Sequence, residues 1–343
     1  MELAGHFKNL FMKKILVTGG AGYIGSHTVV ELINSGYIPI IVDNLCNSSI
    51  KNINGIEKIV KKNIKFYEID CTNKNKMNKI FHEEQVIDGV IHFAAFKSVE
   101  ESIKNPNKYY KNNIGSLEVL LECMNENKVK NIIFSSSCTV YGIPDNLPVN
   151  EKAPFKKAKS PYAETKQICE KLLFKDLTNS VSLRYFNPIG SHKSGLIGDY
   201  SLNKANNLVP ILAETAIGLR EQIIIFGDNY DTKDGTCLRD YIHVVDLANA
   251  HVKALEYLFK NKGNSVFNLG KGKCISVLEI IKIFEKVNKI KLKYKIGPRR
   301  EGDIAKIYSD NTLSYEKLKW KTERTLEEAM ISTWLWQQKK NIL

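Results

Sequence analysis

A tyrosine and a lysine that could act together lie one helical turn apart, at Tyr162 and Lys166 in the segment SPYAETK. Ser160 ahead of them is a good helix N-cap, because its hydroxyl can accept a hydrogen bond from a first-turn amide. Pro161 suits the first helical position, where no backbone N–H is needed. The pair should therefore share one face at the start of a helix. The ammonium and the positive end of the helix both favour the phenolate, so we expect Tyr162 to have a lowered pKa and to act as a general base.

The spacing itself is not specific, because a solvated helix face explains an isolated pair equally well. Two further pairs share it, Tyr200/Lys204 and Tyr315/Lys319. Context distinguishes the pair at 162 and 166, which has a capped helix start and lies downstream of an apolar segment that ends in three serines at Ser137. We therefore take Tyr162 and Lys166 as the candidate catalytic pair.

A glycine-rich turn near the N-terminus indicates a dinucleotide site. The sequence TGGAGYIG follows a strand-like apolar run and opens a helical pattern, and its spaced glycines are Gly19, Gly22 and Gly25. Such glycines allow a tight turn, a close approach of the backbone to a pyrophosphate and close packing of helix on strand. Asp43 ends the next strand, where a carboxylate can bind the adenosine ribose, and no Arg or Lys occurs between it and Ile50. The pattern therefore favours NAD over NADP, while a purely structural glycine turn is the alternative.

Alternating strand and helix patterns in the first half predict a parallel sheet covered on both faces. The predicted strands are Lys14–Thr18, Ile38–Asp43, Ile64–Ile69, Gly89–Phe93, Asn131–Ser135 and Val181–Phe186, and the clearest helices are Gly25–Asn34, Tyr109–Asn125 and Pro161–Phe174. We predict an α/β fold, a Rossmann-type doubly wound parallel sheet with a smaller C-terminal α/β substrate domain. The NAD-binding domain would span 13–187, with part of 220–250 returning to it. The smaller substrate domain would span 188–343, and residues 1–12 would be an extension.

The composition is that of a globular protein of 343 residues with a substantial core. The first residues lack the apolar region and cleavage site of a signal peptide. The seven cysteines are scattered and form no Cys-x-x-Cys motif, so we predict no metal site and reduced thiols in a cytoplasmic protein.

The net charge of +13 raises the possibility of nucleic-acid binding, but the excess is almost entirely lysine spread along the chain. We therefore expect no nucleic-acid partner. Arginine is scarce and occurs at Arg184, Arg220, Arg239, Arg299, Arg300 and Arg324. Where lysine is the default cation, an arginine more often marks a site that needs a planar, bidentate donor.

Six ordered blocks of sequence, together with the glycine turn and the Tyr-x-x-x-Lys pair, resemble the extended short-chain dehydrogenase/reductase superfamily and, within it, the UDP-glucose 4-epimerase family. The blocks are DNLCNS at 43–48, IHFAA at 91–95, FSSSCTVYG at 134–142, RYFNP at 184–188, RDYIHV at 239–244 and RREGD at 299–303. The similarity runs from about residue 13 to about residue 337.

The resemblance implies the chemistry of that family. Tyr162 would take the proton from the sugar 4-hydroxyl, while Lys166 would hold the phenolate and Ser137 would donate a hydrogen bond to the same sugar oxygen. Hydride would leave C4 for NAD, the 4-keto sugar would turn over, and hydride would return to its opposite face. The substrates would be UDP-galactose and UDP-glucose, the pathway galactose metabolism, and NAD would stay bound as a catalyst.

The resemblance also implies two sets of binding residues. The cofactor would contact Gly19, Gly22, Tyr23, Ile24, Gly25, Asp43, Asn44, Asp70, Cys71, Phe93, Ala94, Ala95, Lys97, Asn112, Ser135, Tyr162, Lys166 and Tyr185. The substrate would contact Lys97, Ser137, Tyr162, Phe186, Asn187, Asn207, Leu208, Phe226, Arg239, Tyr241, Arg300 and Asp303. Arg239 and Arg300 would clamp the diphosphate. Ile307 stands where family members differ in admitting an N-acetyl group, and its intermediate size predicts weak use of UDP-N-acetylglucosamine.

Two rival interpretations remain. One is a different nucleotide-sugar enzyme of the superfamily. A dehydratase would need an Asp-Glu pair after the catalytic Thr, whereas Cys138 and Thr139 follow Ser137 here. An epimerase for pentose or acidic sugars stays open. The other is a non-catalytic NAD-sensing or RNA-binding protein. The presence of Ser137, Tyr162 and Lys166 argues against this interpretation. The resemblance further implies a homodimer that pairs the helices predicted at Tyr109–Asn125 and Pro161–Phe174.

Overall fold

Thirteen strands are present in the computed structural model, which describes residues 12–176, 179–200, 205–300 and 303–340. The strands are β1 Lys14–Thr18, β2 Ile38–Asp43, β3 Lys65–Glu68, β4 Gly89–His92, β5 Asn131–Ser137, β6 Asn179–Tyr185, β7 Asn187–Ile189, β8 Ile223–Phe226, β9 Leu238–His243, β10 Asn264–Leu269, β11 Cys274–Ser276, β12 Tyr294–Gly297 and β13 Lys306–Ile307. All six strands predicted for the first half are found, each within two residues of its predicted ends.

The helices alternate with these strands. They are α1 Tyr23–Asn34, α2 Ile50–Val60, α3 Lys74–Glu84, α4 Val99–Lys104, α5 Pro106–Tyr109, α6 Gly115–Glu126, α7 Pro161–Lys175, α8 Leu208–Ala216, α9 Val244–Lys260, α10 Val277–Asn288, α11 Thr312–Leu318 and α12 Leu326–Lys339. The helix predicted at Tyr109–Asn125 is interrupted, because a π-helical turn at Tyr110–Ile114 separates α5 from α6. Such turns occur often at functional sites.

Seven parallel strands form the large sheet in the order β10-β6-β5-β4-β1-β2-β3. The order reverses between β1 and β4, which places a crevice at the carboxyl ends of these two strands. In a doubly wound sheet this crevice is where ligands bind. The predicted Rossmann-type architecture of the sheet is therefore present.

Alternate side chains of the strands pack into two separate cores. Ile15 and Val17 of β1 contact the apolar cluster that includes α1 and Leu247 of α9. Leu16, between them in sequence, points to the opposite cluster, which includes Leu120 of α6 and Leu173 of α7. This alternation follows from the period of two along a strand, and it leaves helices on both faces of the sheet.

The smaller part of the fold is built around β9, which pairs with β11 in antiparallel fashion and with β7 and β13 in parallel. A separate two-stranded parallel sheet joins β8 and β12. Directly after β9 the chain crosses back through α9 to β10, which pairs with β6 at the edge of the large sheet. Segment 244–269 therefore connects the two parts, and the predicted division into two domains remains a prediction.

No helix in the part of the chain that the structure describes is long and apolar enough to cross a membrane. The same residues contain no group of three or more His, Cys, Asp or Glu side chains that could hold a metal ion.

Candidate active site

A cavity of about 360 Å³ opens at the carboxyl ends of the strands, where the sheet order reverses. Every residue predicted to contact the cofactor lines it: Gly19, Gly22, Tyr23, Ile24, Gly25, Asp43, Asn44, Asp70, Cys71, Phe93, Ala94, Ala95, Lys97, Asn112, Ser135, Tyr162, Lys166 and Tyr185. Of the residues predicted for the substrate alone, Ser137, Phe186, Asn187 and Asn207 also line it. The cavity therefore brings the two predicted sets together, while the binding roles stay predictions.

The glycine turn forms one end of the cavity and needs its glycines for steric reasons. Gly19 has a φ of +70°, and a Cβ there would lie 2.7 Å from the backbone nitrogen of Ala94. A Cβ on Gly25 would lie 2.2 Å from the carbonyl oxygen of Gly19. Gly22 is the N-cap of α1, and no side chain caps that helix. The first-turn amides of α1 thus face the cavity as free donors for an anion.

Asp43 is held in one orientation at the end of β2. Its carboxylate accepts hydrogen bonds from the backbone of Ala21 (3.1 Å) and Leu45 (3.0 Å) and from the Ser48 hydroxyl (2.8 Å). Burial raises the pKa of this carboxyl group above its usual value, and the three donors act in the opposite direction. The side chain is therefore positioned beside the glycine turn before any ligand binds.

The catalytic candidates Ser137, Tyr162 and Lys166 line the same cavity as the glycine turn, and we call this group the catalytic wall. Helix α7 begins as predicted: the Ser160 hydroxyl accepts from the amide of Ala163 at 3.2 Å, with Pro161 in the first turn. Ser137 ends β5, and its hydroxyl oxygen accepts from both the amide (3.2 Å) and the hydroxyl (3.0 Å) of Thr139. Because these two donors occupy its lone pairs, Ser137 is left to donate its own proton. Its hydroxyl is hydrogen-bonded to Tyr162.

Lys166 is almost completely buried, with 3% of its surface exposed. Its Nζ donates to the carbonyl oxygen of Ser135 at 2.6 Å and lies 4.8 Å from the centre of the Phe134 ring. Burial lowers the pKa of this ammonium to about 8, and the carboxylate of Glu170 opposes that effect. The side chain is therefore still mostly charged at pH 7.

The expectation of a lowered pKa at Tyr162 is wrong for the site without ligands. Burial raises the pKa of this phenol to about 12, and the hydrogen bond from Ser137 only partly offsets it. Lys166 does not reverse this, because its Nζ is engaged with the Ser135 carbonyl and lies 5.9 Å from the centre of the tyrosine ring. The sequence argument considered the charge of Lys166 and the helix end but not the loss of solvent around both side chains.

The π-helical turn places two neighbouring asparagines in different roles. Asn112 lines the cavity, whereas Asn113 is buried and fixes the loop after β4. Its amide group accepts from the backbone nitrogen of Phe96 at 2.9 Å and donates to the carbonyl of the same residue at 3.1 Å. It also lies 3.3 Å from the Thr165 hydroxyl on α7. Asn113 thus ties the Lys97 loop to the catalytic helix.

Sequence reasoning missed Asp199 and Asn52, which also line the cavity. The Nζ of Lys97 lies 3.2 Å from the carboxylate of Asp199. Asn52 on α2 donates to the carbonyls of Ala21 (2.9 Å) and Gly198 (3.2 Å), so it joins the glycine turn to the loop that carries Asp199. Both contacts join segments far apart in sequence, so no local pattern could have revealed them.

Six residues predicted to contact the substrate do not line this cavity: Leu208, Phe226, Arg239, Tyr241, Arg300 and Asp303. Three of them form an ionic cluster. Arg300 donates to both carboxylate oxygens of Asp303, at 3.0 and 3.2 Å, and the guanidinium of Arg239 lies 3.6 Å from that carboxylate. Arg300 also lies over the ring of Phe226, 5.3 Å from its centre.

The remaining two of these residues, Leu208 and Tyr241, belong to one apolar cluster. Tyr241 is buried on β9, two residues after Arg239, and Leu208 begins α8 directly after Asn207. Cys138 lines the cavity beside Ser137, and the charge of Arg239 opposes the rise in the pKa of its thiol that burial causes. The ionic cluster thus lies outside the lining of the cavity, and Arg239 is the member whose charge acts on a lining residue.

Of the other two Tyr/Lys pairs, only Tyr200 lies at this cavity among the residues that the structure describes. Tyr200 lines the cavity, but Lys204 lies outside the described residues. Tyr315 is exposed on α11, and Lys319 follows the end of that helix in a left-handed conformation. The context that favoured Tyr162/Lys166 in the sequence therefore identified the pair that faces the cavity.

The cavity fits a dinucleotide on its own chemistry. An uncapped helix N-terminus provides donors for a pyrophosphate, and glycines there leave room for it. A fixed carboxylate at the end of β2 suits a ribose diol. A parallel sheet with these features at its switch point defines a nucleotide-dependent α/β enzyme.

Comparison with known proteins makes this assignment specific. The model of the NAD dependent epimerase/dehydratase family matches residues 15–270, and the chain belongs to this family. Curated relatives to which it is similar include UDP-glucose 4-epimerases. That of Pasteurella multocida is 47% identical over 331 residues, which cover 95% of this chain and 97% of the relative. That of Drosophila melanogaster is 46% identical over 337 residues, which cover 94% and 96%.

Solved structures agree with this result. The UDP-glucose 4-epimerase of Stenotrophomonas maltophila, with bound NAD and formylated UDP-arabinopyranose, aligns with a TM-score of 0.93 at 42% identity and covers 96% of this chain and 99% of that one. The enzyme of Bifidobacterium longum, in complex with NAD+ and UDP, aligns with a TM-score of 0.91 at 44% identity and the same coverage. The predicted superfamily, the α/β fold and the dependence on NAD are thereby confirmed.

Proposed function

We propose that this chain interconverts UDP-galactose and UDP-glucose, by transient oxidation at sugar C4, rotation of the 4-keto intermediate and return of hydride to its opposite face. The observation that carries the proposal is that Ser137, Tyr162 and Lys166 line the same cavity as the glycine turn. A base, a hydroxyl donor and a cation are thus grouped beside a dinucleotide site, which is the set that oxidation of an alcohol requires.

Tyr162 acts as the base that takes the proton of the sugar 4-hydroxyl and later returns it. The hydrogen bond from Ser137 favours the phenolate, and the two donors from Thr139 keep the Ser137 proton directed toward the reacting oxygens. Since burial raises the pKa of Tyr162 to about 12, the phenolate needs a further positive charge when the site is filled. Lys166, one turn away on the same helix, would supply part of it after its Nζ leaves the carbonyl of Ser135.

NAD, when bound, supplies a reversible hydride acceptor whose oxidised ring carries a positive charge. The first-turn amides of α1 and the carboxylate of Asp43 would hold its pyrophosphate and adenosine ribose. Lys97 lies at the same cavity and would contact phosphate oxygens after leaving Asp199. The chain thus provides separate groups for the charged middle and the adenosine end of the cofactor.

Arg239 and Arg300 hold the diphosphate of the substrate in this proposal. Two guanidinium groups face one carboxylate in the cluster with Asp303, so the cluster keeps an excess of positive charge. A diphosphate can replace the carboxylate as a bidentate acceptor, and Asp303 is then free to accept from ribose hydroxyls. Because the sugar is attached to a clamped diphosphate, it can rotate in the cavity without leaving the enzyme.

The proposal is tested by incubating the purified protein with UDP-galactose and following UDP-glucose by chromatography. We expect conversion without added reductant and equilibration from either direction. Conversion of a UDP-pentose or of a UDP-uronic acid, with none of UDP-galactose, would support the specialised epimerase instead. NAD that is bound without turnover of any nucleotide sugar would favour a sensing protein.

Use of N-acetylated sugars is proposed to be weak because of Ile307. This side chain is buried in a small apolar cluster with Val140, Tyr141, Val149 and Phe186, and Phe186 also lines the cavity. An intermediate side chain at that place restricts the space next to the sugar. Equal turnover of UDP-N-acetylglucosamine and UDP-glucose would contradict this proposal.

We further propose that the protein is a homodimer and that it is located in the cytoplasm. The stripe of Leu117, Leu120 and Leu121 does not support the dimer, because these residues are buried in the core of the monomer. Support comes from apolar residues that stay exposed on two contacting helices, Ile103 of α4 (60%) and Phe174 of α7 (51%). The seven cysteines are free thiols, which agrees with a reducing compartment. A monomeric mass by light scattering at micromolar concentration would exclude the dimer.

A further inference from the structure

A buried histidine on α9 is hydrogen-bonded to Tyr185, which lines the cavity together with the catalytic wall. His251 is fully buried, and its Nδ1 lies 2.8 Å from the carbonyl oxygen of Leu247. A carbonyl can only accept, so Nδ1 carries the hydrogen and Nε2 is the acceptor. The hydroxyl of Tyr185 lies 2.5 Å from Nε2 and therefore donates to it.

The tautomer of His251 determines how the hydroxyl of Tyr185 can act toward its other neighbours. Tyr185 donates its only proton to His251, so its hydroxyl can act toward the Ser135 side chain only as an acceptor. The backbone carbonyl of Ser135 in turn accepts from Lys166 at 2.6 Å. His251 is therefore bonded to a residue of β6, and the neighbouring strand β5 carries the carbonyl that holds the catalytic lysine. Burial lowers the pKa of His251 to about 4, so its neutral tautomer persists at working pH.

His251 also supports the cavity wall by packing. Its ring lies 4.8 Å from that of Phe93 and 5.4 Å from that of Tyr185, measured between ring centres. Both aromatic residues line the cavity, whereas His251 does not. The imidazole is therefore placed to act on a ligand only through these neighbours. It is carried by the helix that directly follows β9, the strand of Arg239.

We infer that His251 is a positioning residue for the cofactor: as the Nδ1-protonated tautomer it fixes the hydroxyl of Tyr185, and thereby the part of the cavity wall next to Lys166 against which NAD binds. The inference rests on the NAD site of the proposed function but not on the sugar reaction. Without the acceptor, the buried O–H of Tyr185 loses the partner to which it donates, so this bond no longer holds the side chain in place. A loss of this kind lowers affinity for a ligand on that wall by about tenfold.

His27 on α1 offers a matched control. It too is buried, and its Nδ1 lies 2.7 Å from the carbonyl oxygen of Tyr23, four residues earlier. Its Nε2, however, has no hydrogen-bond partner among the described residues. Replacing either histidine by phenylalanine removes the same kind of bond within a helix, but only one of the two changes disturbs Tyr185.

The test measures the affinity for NAD by calorimetry in nucleotide-free protein for His251→Phe, Tyr185→Phe, the double variant and His27→Phe. We expect His251→Phe to weaken NAD binding about tenfold in the parent and to have almost no effect when Tyr185 is already Phe. His27→Phe should stay within about twofold of the parent. Equal losses for the two histidine variants, or additive losses in the double variant, would overturn the inference.

His251→Gln covers the case in which the phenylalanine variant does not fold. Glutamine keeps an acceptor within reach of Tyr185, so we expect NAD affinity closer to that of the parent than in Tyr185→Phe. Equal losses of NAD affinity in His251→Gln and Tyr185→Phe would contradict a role for the acceptor. The proposed function is judged separately, because failure of the parent to convert UDP-galactose would leave the measured affinities for NAD intact.

Discussion

Replacing Lys166 by methionine should abolish catalysis and yet stabilise the fold at neutral pH. The pKa of Lys166 falls from an ordinary value of 10.5 to about 8, because the ammonium is buried. At 1.36 kcal/mol per pKa unit, this difference corresponds to a cost of about 3 kcal/mol for keeping the charge inside the protein. Methionine has a similar length and carries no charge, so it removes this cost.

The pH dependence gives the prediction its sign. Because the folded-state pKa lies below that of the unfolded chain, the cost is complete below about pH 8 and disappears as the pH rises to 10.5. Losing the hydrogen bond to the Ser135 carbonyl costs about 1 kcal/mol at any pH. The variant should therefore be about 2 kcal/mol more stable at pH 7 and slightly less stable than the parent near pH 10.5.

Urea unfolding of the nucleotide-free proteins at pH 7, 9 and 10.5, followed by circular dichroism, measures this difference. The control is Lys175→Met, which changes an exposed lysine of the same helix and should give no pH-dependent gain. A Lys166→Met protein that is less stable than the parent at pH 7, or a difference that is independent of pH, would refute the argument from burial. A Lys166→Met protein that gains stability and loses activity would show the trade-off between stability and activity at a single residue.

Three further changes test other parts of the site. Tyr162→Phe should lower the UDP-galactose conversion rate by about 100-fold or more while NAD stays bound, because only the acid–base group is lost; a retained rate would remove Tyr162 as the base. Thr139→Val should lower kcat about tenfold with little change in KM, since one donor to Ser137 disappears; Thr139→Ser, which keeps the hydroxyl, should restore most of it, and failure to do so would point to packing instead. Ile307→Ala should raise kcat/KM for UDP-N-acetylglucosamine relative to UDP-glucose by about tenfold, and an unchanged ratio would show that Ile307 does not limit the sugar pocket.

Local patterns predicted the framework of the cavity well, because they reflect local physics. Apolar runs gave the ends of β1 and β2, the capping residue Ser160 gave the start of α7, and spaced glycines gave the turn that opens α1. Each of these features depends on neighbours in sequence. The π-helical turn before α6 has no such local cause and was missed.

Tertiary features could not be predicted in this way. The choice of β6 as partner for β10, the Lys97–Asp199 contact and the bond from Tyr185 to His251 each join distant segments. The predicted lowering of the Tyr162 pKa was wrong for the same reason, since burial is a property of the whole fold. The residue types at the site were thus predictable, but their electrostatic state was not.

The central claim, that hydride leaves and returns to the same sugar carbon within one cavity, is tested most directly with UDP-galactose carrying deuterium at C4. The purified protein is incubated with this substrate in ordinary water, and the product is analysed by NMR and mass spectrometry. The account predicts UDP-glucose that retains the deuterium at C4, because hydride does not exchange with solvent. Product that has lost the label to water, or the absence of UDP-glucose altogether, would contradict it.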